Sequence, residues 1–456
     1  MIILLPLTYL ILLVWLKSSF KKIEFIELLA STNLFFLGLA GLLPFILREY
    51  ANIDYKYSIF EIMIVALVLL IIELFVKKKL KFFKIHKLIN LTKKPNAPVV
   101  FLIILGAILF LRGLYLPLQG WDAVSMYDSR ARMFLSGLSL RDTKTLSDYD
   151  DFNPNYYFSY PPMTSTIHTV IYSTSASRVM WVYALFYMSF IYYLYLILKK
   201  LRTNRLLKIL LFVAVAFNPL IVGQINIAYT NLPMIAFQTG SLYYLMKYIE
   251  NRDSKLLITS AIFLSFSNWT RSLEPIFIGF ILAAMYAIYI NKKLPIFRKI
   301  MLLAIYAGFS LLTRVGWTYY VRTFAGSMGG TDPSFYVLIS KLIESIYLGN
   351  IIVVAFFVFS SLAPILPYIS LMGISLIGRG LNTKSRLSPT EIVLIIIFTT
   401  MTILMLGGTL YFSVTFYWWD KIGGSLLRSN LLFIPLISIF AGVVFNNLKG
   451  RNVKGK

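Results

Sequence analysis

The sequence predicts an all-α polytopic membrane protein with about thirteen transmembrane helices. Composition is the first observation behind this. Of 456 residues, 58% are apolar and only 14% charged, with a mean hydropathy of +0.76. Soluble domains carry about 25% charged residues, so here there are too few charges to cover a globule of this size. The second observation is a series of long apolar runs, such as Ile59 to Val76, Val99 to Leu118 and Glu391 to Tyr411. At ~1.5 Å per residue these can cross ~30 Å of hydrocarbon. The third is the placement of lysine and arginine, taken up below. A soluble enzyme, a disordered chain and a disulfide-framed secreted domain are excluded. Cysteine is absent and the only histidines are His86 and His168, which leaves no thiolate chemistry and no multi-histidine metal centre.

The apolar segments fall at 1–16, 25–47, 58–76, 98–118, 179–198, 206–222, 231–249, 256–270, 275–290, 301–319, 350–377, 391–411 and 428–446. Those at 256–270 and 275–290 are short, which fits tilted, re-entrant or buried helices. The first span lacks a basic leader and a nearby small-residue cleavage site, so it is expected to be a retained helix. No period of 20–50 residues repeats, which argues against a solenoid or a duplicated transporter half.

The connecting segments 17–24, 77–97, 199–208, 247–255, 291–300, 379–386 and 447–456 hold 30 of the 44 basic residues, and the alternation of thirteen spans puts all seven on one face. Short basic loops stay cytoplasmic. The amino terminus is therefore expected outside and the basic tail 447–456 inside. The opposite face receives 12 of the 19 acidic residues. The net charge of +25 thus reads as solvated faces beside anionic headgroups, not as a nucleic-acid site.

Two outer segments, 119–178 and 320–349, are too long to be plain connectors. In the first, Val124, Tyr127, Ala131 and Phe134 recur at helical spacing. Ala123 to Gly137 therefore reads as an amphipathic helix lying along the membrane interface. Met163 to Ser173, after Pro161-Pro162, is a second candidate for an interfacial or re-entrant helix.

Asp122 falls where the fourth span leaves the membrane, beside Trp121. A carboxylate there is placed to deprotonate an acceptor hydroxyl as a general base. It is equally placed to cap the helix that follows, with Trp121 as an interfacial anchor. Asp128 and Arg132 sit at i,i+4, a spacing for a surface ion pair, whereas Arg130 lies on another face and can reach a phosphate with a two-pronged guanidinium. Tyr160-Pro161-Pro162 reads as a turn. Arg271 and Glu274 join two short spans at or near membrane depth, where they can pair with each other or serve function. Arg428 opens the last span and can snorkel or bind an anionic headgroup. An acid, several arginines and aromatic-rich loops such as Tyr417 to Asp420 on one face would suit a reaction with a lipid-linked anionic donor.

These residues resemble the GT-C-fold glycosyltransferases, the polyprenyl-phosphate-sugar-dependent class that includes protein mannosyltransferases and lipid A aminoarabinose transferases. Trp121-Asp122-Ala123 with Tyr127 to Arg132 is similar to a first-outer-loop pattern of that class. Tyr160-Pro161-Pro162 resembles its Tyr-Pro return to the membrane, and Ala228 to Pro233 its Ala-Tyr-Ala-Asp-Leu-Pro helix start. Arg271 to Pro275 resembles the Arg/Lys-x-Glu-Gly turn, and Arg428 with Leu431 to Pro435 the terminal helix. The likeness runs over 98–446.

The resemblance implies a GT-C-like module at 98–446 behind additional amino-terminal helices at 1–97. It implies Asp122 as catalytic base, with Arg130, Arg271 or Arg428 on the donor phosphate. The substrate pocket would include Trp121, Tyr127, Asp128, Tyr160 and Glu274. The partners implied are a polyprenyl-phosphate sugar, a glycan, lipid or protein acceptor, and membrane lipids. The active site is expected on the extracytoplasmic face of the cell membrane. Two motif positions depart from the class: Ala123 stands where many members carry Glu, and Asn231 where Asp is usual. No metal ligand is assigned, and a divalent-metal requirement is left open. The rival readings are a lipid or polysaccharide transporter or flippase, which would carry charges near mid-membrane and internal symmetry, and a polysaccharide polymerase or ligase, which would carry its long outer loop late in the chain.

Overall fold

The computed structural model describes residues 2–20, 23–76, 97–142, 160–201, 204–271, 276–324, 363–380, 387–416 and 433–452, with positions 158, 340, 343–344, 352 and 431 besides. It is about 85% helical, and no strand occurs among the described residues. The helices are α1 (Leu4–Ser19), α2 (Phe25–Ala51), α3 (Ser58–Val76), α4 (Ala97–Tyr115), α5 (Ser129–Leu135), α6 (Met163–Ser173), α7 (Trp181–Lys200) and α8 (Arg205–Ala216). They continue with α9 (Pro219–Gly223), α10 (Asn231–Asn251), α11 (Ser254–Thr270), α12 (Phe277–Tyr289), α13 (Ile296–Phe324), α14 (Leu366–Gly380), α15 (Pro389–Phe416) and α16 (Phe433–Asn452).

Among the described residues, five helices are long and apolar enough to cross a membrane: Phe25–Ala51, Tyr55–Phe75, Ala97–Tyr115, Trp181–Lys200 and Ile296–Phe324. The pair α8 and α9, bent by 41°, makes a sixth if counted as one span. The bend has a local cause. Pro219 cannot donate to the helix before it, and Asn218 Oδ1 accepts from Leu220 N–H at 2.9 Å, so the chain stops and restarts there. α10 and α11, where the seventh and eighth spans were expected, are helical but do not join this set: α11 is only 17 residues long, and polar residues interrupt the apolar character of both. These include the buried Gln238, Thr239, Ser241, Thr259, Ser260 and Asn268.

The chain divides into two compact units, each drawn from several stretches. One holds 1–193, 223–240 and 317–326; the other holds 194–222, 241–316 and 327–456. The three amino-terminal helices fall in one unit with α4, α5, α6 and the start of α7.

In the first unit, α1, α2 and α3 pack on one another, and α6 packs on α2. Gly41 lets Met163 approach so closely that a Cβ there would lie 2.5 Å from Met163 Cγ. α4 leans on α7 through Gly106 and Gly113 and is otherwise largely uncovered, as is much of α3; a helix apolar all round with open faces is suited to lipid. The end of α2 is tied down by a buried carboxylate. Glu49 Oε1 accepts from Leu140 N–H at 3.1 Å and Oε2 from Tyr320 Oη at 2.8 Å, with Arg141 Nε at 2.9 Å.

The second unit is stitched by small polar side chains. Ser241 and Ser260 each donate to the other's carbonyl at 2.9 and 2.8 Å, Thr313 Oγ1 donates to Ser265 O at 2.7 Å, and Asn268 Nδ2 to Ser310 O at 2.6 Å. Such bonds between helices hold bundles together where no water competes.

The stripe expected to face the membrane interface is split: Val124 is 49% exposed, whereas Tyr127, Ala131 and Phe134 are not. All three are buried in protein, with Phe134 stacked on Tyr55 at 4.6 Å between ring centroids. In α6, expected as an interfacial or re-entrant helix, every residue but Tyr172 is buried. The two segments pack on each other, and α6 also packs on α2.

Candidate functional site

The first unit brings together three of the motif segments: 120–132, 160–173 and 224–231. Gly120 opens the site at φ +97°, a conformation natural to glycine, and a Cβ there would lie 3.0 Å from Ile227 and 3.2 Å from Tyr229. Gly120 thus lets the Trp121-Asp122 step run against Tyr229 of the third segment. Tyr127 meets the same Tyr229 with ring centroids 6.4 Å apart.

Ala123–Asp128 is a π-helical turn that runs directly into α5. Ser129 N–H reaches back to Val124 O, and Ser129 Oγ donates to the same carbonyl at 2.8 Å. The segment closes in a Schellman motif: Gly137, at φ +90°, donates to Phe134 O at 3.0 Å and Leu138 to Met133 O at 3.2 Å. Single π turns of this kind recur at functional positions.

Asp122 stands at the N-cap position of the π turn, half-buried, and its side chain makes no cap hydrogen bond. The capping role open from the sequence is therefore not the one it fills. Trp121 beside it is 80% exposed. Tyr160 is half-buried in the turn before α6.

Arg130 departs from its expected role. It is fully buried, with Nε donating to Ser165 Oγ at 2.8 Å, Nη1 to Tyr160 O at 3.0 Å and Nη2 to Pro161 O at 3.4 Å. Its guanidinium holds the Tyr-Pro-Pro turn onto α5 and is shielded from any donor phosphate. The carbonyls before and within a diproline step have few alternative donors, because Pro161 and Pro162 carry no N–H.

Asp128 is also buried, so its expected pair with Arg132 is not a surface one, and its neighbours on α6 were not foreseen from sequence. Tyr172 Oη donates to Oδ1, Arg132 Nε donates to Oδ2 at 2.8 Å, and His168 Nδ1 lies 3.7 Å from Oδ1. Burial opposes ionisation of Asp128, but the contacts from His168, Tyr172 and Arg132 outweigh it and hold its carboxyl at about 2. Burial lowers the proton affinity of His168 below the ordinary 6.5 against the pull of Asp128. A neutral ring then points Nδ1–H at Asp128 and accepts from Tyr183 Oη on Nε2, 3.1 Å away. The i,i+4 spacing of His168 and Tyr172 on one helix was the available signal for this cluster.

Arg271 belongs to the second unit, half-buried just past α11, with its N–H bonded to Ser267 O at 3.1 Å. Glu274, Arg428, the Tyr417 to Asp420 loop and most of 320–349 lie outside the described residues. Among the described residues no three His, Cys, Asp or Glu gather into a metal-ligand group. Comparisons with protein-family models, with curated proteins and with solved structures give no match for this chain.

Proposed function

We propose that this protein is a membrane glycosyltransferase of GT-C type, moving one sugar from a polyprenyl-phosphate donor to an acceptor hydroxyl on the extracytoplasmic face. In this reading the chain crosses the membrane thirteen times with the amino terminus outside, and the segment 119–178 faces the outer compartment. The observation that carries it is the placement of Asp122, a half-buried carboxylate at the mouth of a π turn, two residues after the Gly120 that packs against Tyr229. Around it stand the exposed Trp121 and the ring of Tyr229, surfaces on which a sugar can stack.

The chemistry is a single inverting displacement. Asp122 takes the proton of the acceptor hydroxyl as its oxygen attacks the anomeric carbon. The carbon–oxygen bond to the phosphate breaks, and the lipid phosphate leaves with the electron pair. The resemblance assigns the balancing of that anion to arginine; Arg130, enclosed by Ser165, Tyr160 and Pro161, is withdrawn from the role. Sugar, acceptor and metal requirement are read from the assay: purified protein incubated with a panel of radiolabelled polyprenyl-phosphate sugars, with and without chelator. Asp122→Asn is expected to abolish transfer while expression and donor binding persist. A near-normal rate in that variant would reject the mechanism.

A further inference from the structure

We propose that Asp128 is a positioning residue that fixes the rotational register of Asp122 through the π turn between them. The inference rests on the reading of Asp122 as the base, and its test separates the two.

A π turn holds one more residue than an α turn. Tightening it to α-helical winding rotates everything ahead of it by about 100° and moves it by ~1.5 Å. Each residue ahead of the turn then takes the place its predecessor held. In the present register Ala123, Met126 and Tyr127 point inward, whereas Trp121 and Val124 point outward, 80% and 49% exposed. After tightening, Asp122 would occupy the outward place of Trp121, and Val124 the enclosed place of Ala123. Asp122 would turn from its half-buried place to an exposed one.

The wide turn therefore needs a clamp, and Asp128, its last residue, supplies one. Its carboxylate takes the bonds from Tyr172 and Arg132 and faces His168, so α6 grips the turn itself. Arg130 grips the next turn independently, through Ser165 and the carbonyls of Tyr160 and Pro161. Removing the Asp128 carboxylate frees the turn while Arg130 keeps α5 docked.

The chain contains no cysteine, so single cysteines report on their own positions. They are placed one at a time at positions 121 to 127 of the full-length protein and alkylated with a membrane-impermeant maleimide. With Asp128 intact, positions 121 and 124 are expected to react roughly tenfold faster than 123, 126 and 127, since thiol reactivity follows exposure. With Asp128→Ala, the cysteine at 124 becomes protected and that at 122 becomes as reactive as that at 121. In the otherwise native chain, Asp128→Ala lowers kcat about 100-fold with little change in donor KM, as a misplaced catalytic group does. Asp128→Asn, which keeps an acceptor for Tyr172, restores part of that loss. An unchanged labelling pattern overturns the proposal, and so does reactivity at every position, which would mean that the segment melts and does not slide. The labelling stands whether or not Asp122 is the base, which Asp122→Asn alone decides.

Discussion

Arg130 puts a full positive charge where no solvent reaches it, and its worth lies in the oxygens that it satisfies. A buried carbonyl left without a donor costs about 1–3 kcal/mol, and Arg130 serves Tyr160 O and Pro161 O besides Ser165 Oγ. Arg130→Ala is therefore expected to lower stability by ~3 kcal/mol or more, read as a fall in the unfolding midpoint in detergent. Donor affinity per folded molecule should stay as it was; a selective loss of donor binding would return Arg130 to the phosphate. The neighbouring pair gives a pH signature. Asp128 sits near 3.8 when unfolded and at about 2 when folded, so the unfolded chain takes up its proton first. Its stabilisation, ~2 kcal/mol, is present above about pH 4 and lost as pH falls toward 2. His168 has the same sign: its proton affinity is depressed in the fold, so its contribution is intact above the ordinary 6.5 and declines below it. Unfolding midpoints measured against pH should decline in both windows; His168→Asn should erase the upper one and shrink the lower, because the His168 contact helps to hold the Asp128 carboxyl down.

The helices themselves were legible because each carries its own signal. The run 58–76 and the helix Ser58–Val76 coincide, since an apolar stretch bounded by polar residues needs no tertiary information. The Asp128–Arg132 ion pair was equally readable from i,i+4 spacing. What escaped was whatever depends on a partner far along the chain. The apolar stripe of 123–137 looked lipid-facing because nothing local announces that Tyr55 and α6 will cover it. Arg130 looked like a phosphate ligand because its acceptors lie 30–35 residues on, and two of them are backbone. Glu49, Arg141 and Tyr320 meet across 271 residues for the same reason. Close helix packing was also hidden: a Cβ on Gly113 would lie 2.5 Å from Trp181 Cα, backbone that cannot step aside. Gly113→Ala is thus expected to force α4 from α7 and cost about 1–3 kcal/mol, whereas Gly308→Ala, with open space around its Cβ, should cost nothing measurable. Parallel thermal unfolding of the two variants in detergent checks the contrast.

In the proposed reading sidedness constrains the chemistry, because a lipid-linked donor and a base would meet on one face. The expectation comes from charge: 30 of 44 basic residues fall in segments that thirteen crossings would gather on one side, and short basic loops stay in the cytoplasm. The cysteine-free chain allows a direct measurement. Leu138, at the exposed end of the segment carrying Asp122, and Lys292, exposed in the basic segment 291–300, are replaced singly by cysteine. A membrane-impermeant maleimide applied to intact cells is expected to modify position 138 at once and position 292 only after permeabilisation. The reverse order would place Asp122 in the cytoplasm. A nucleotide-activated sugar would then be the accessible donor, and the reason for embedding the base beside a lipid-facing helix such as α4 would disappear. Labelling of both positions from outside would break the alternation between residues 138 and 292, most directly at the bent pair α8 and α9, which would then enter and leave on one side without crossing.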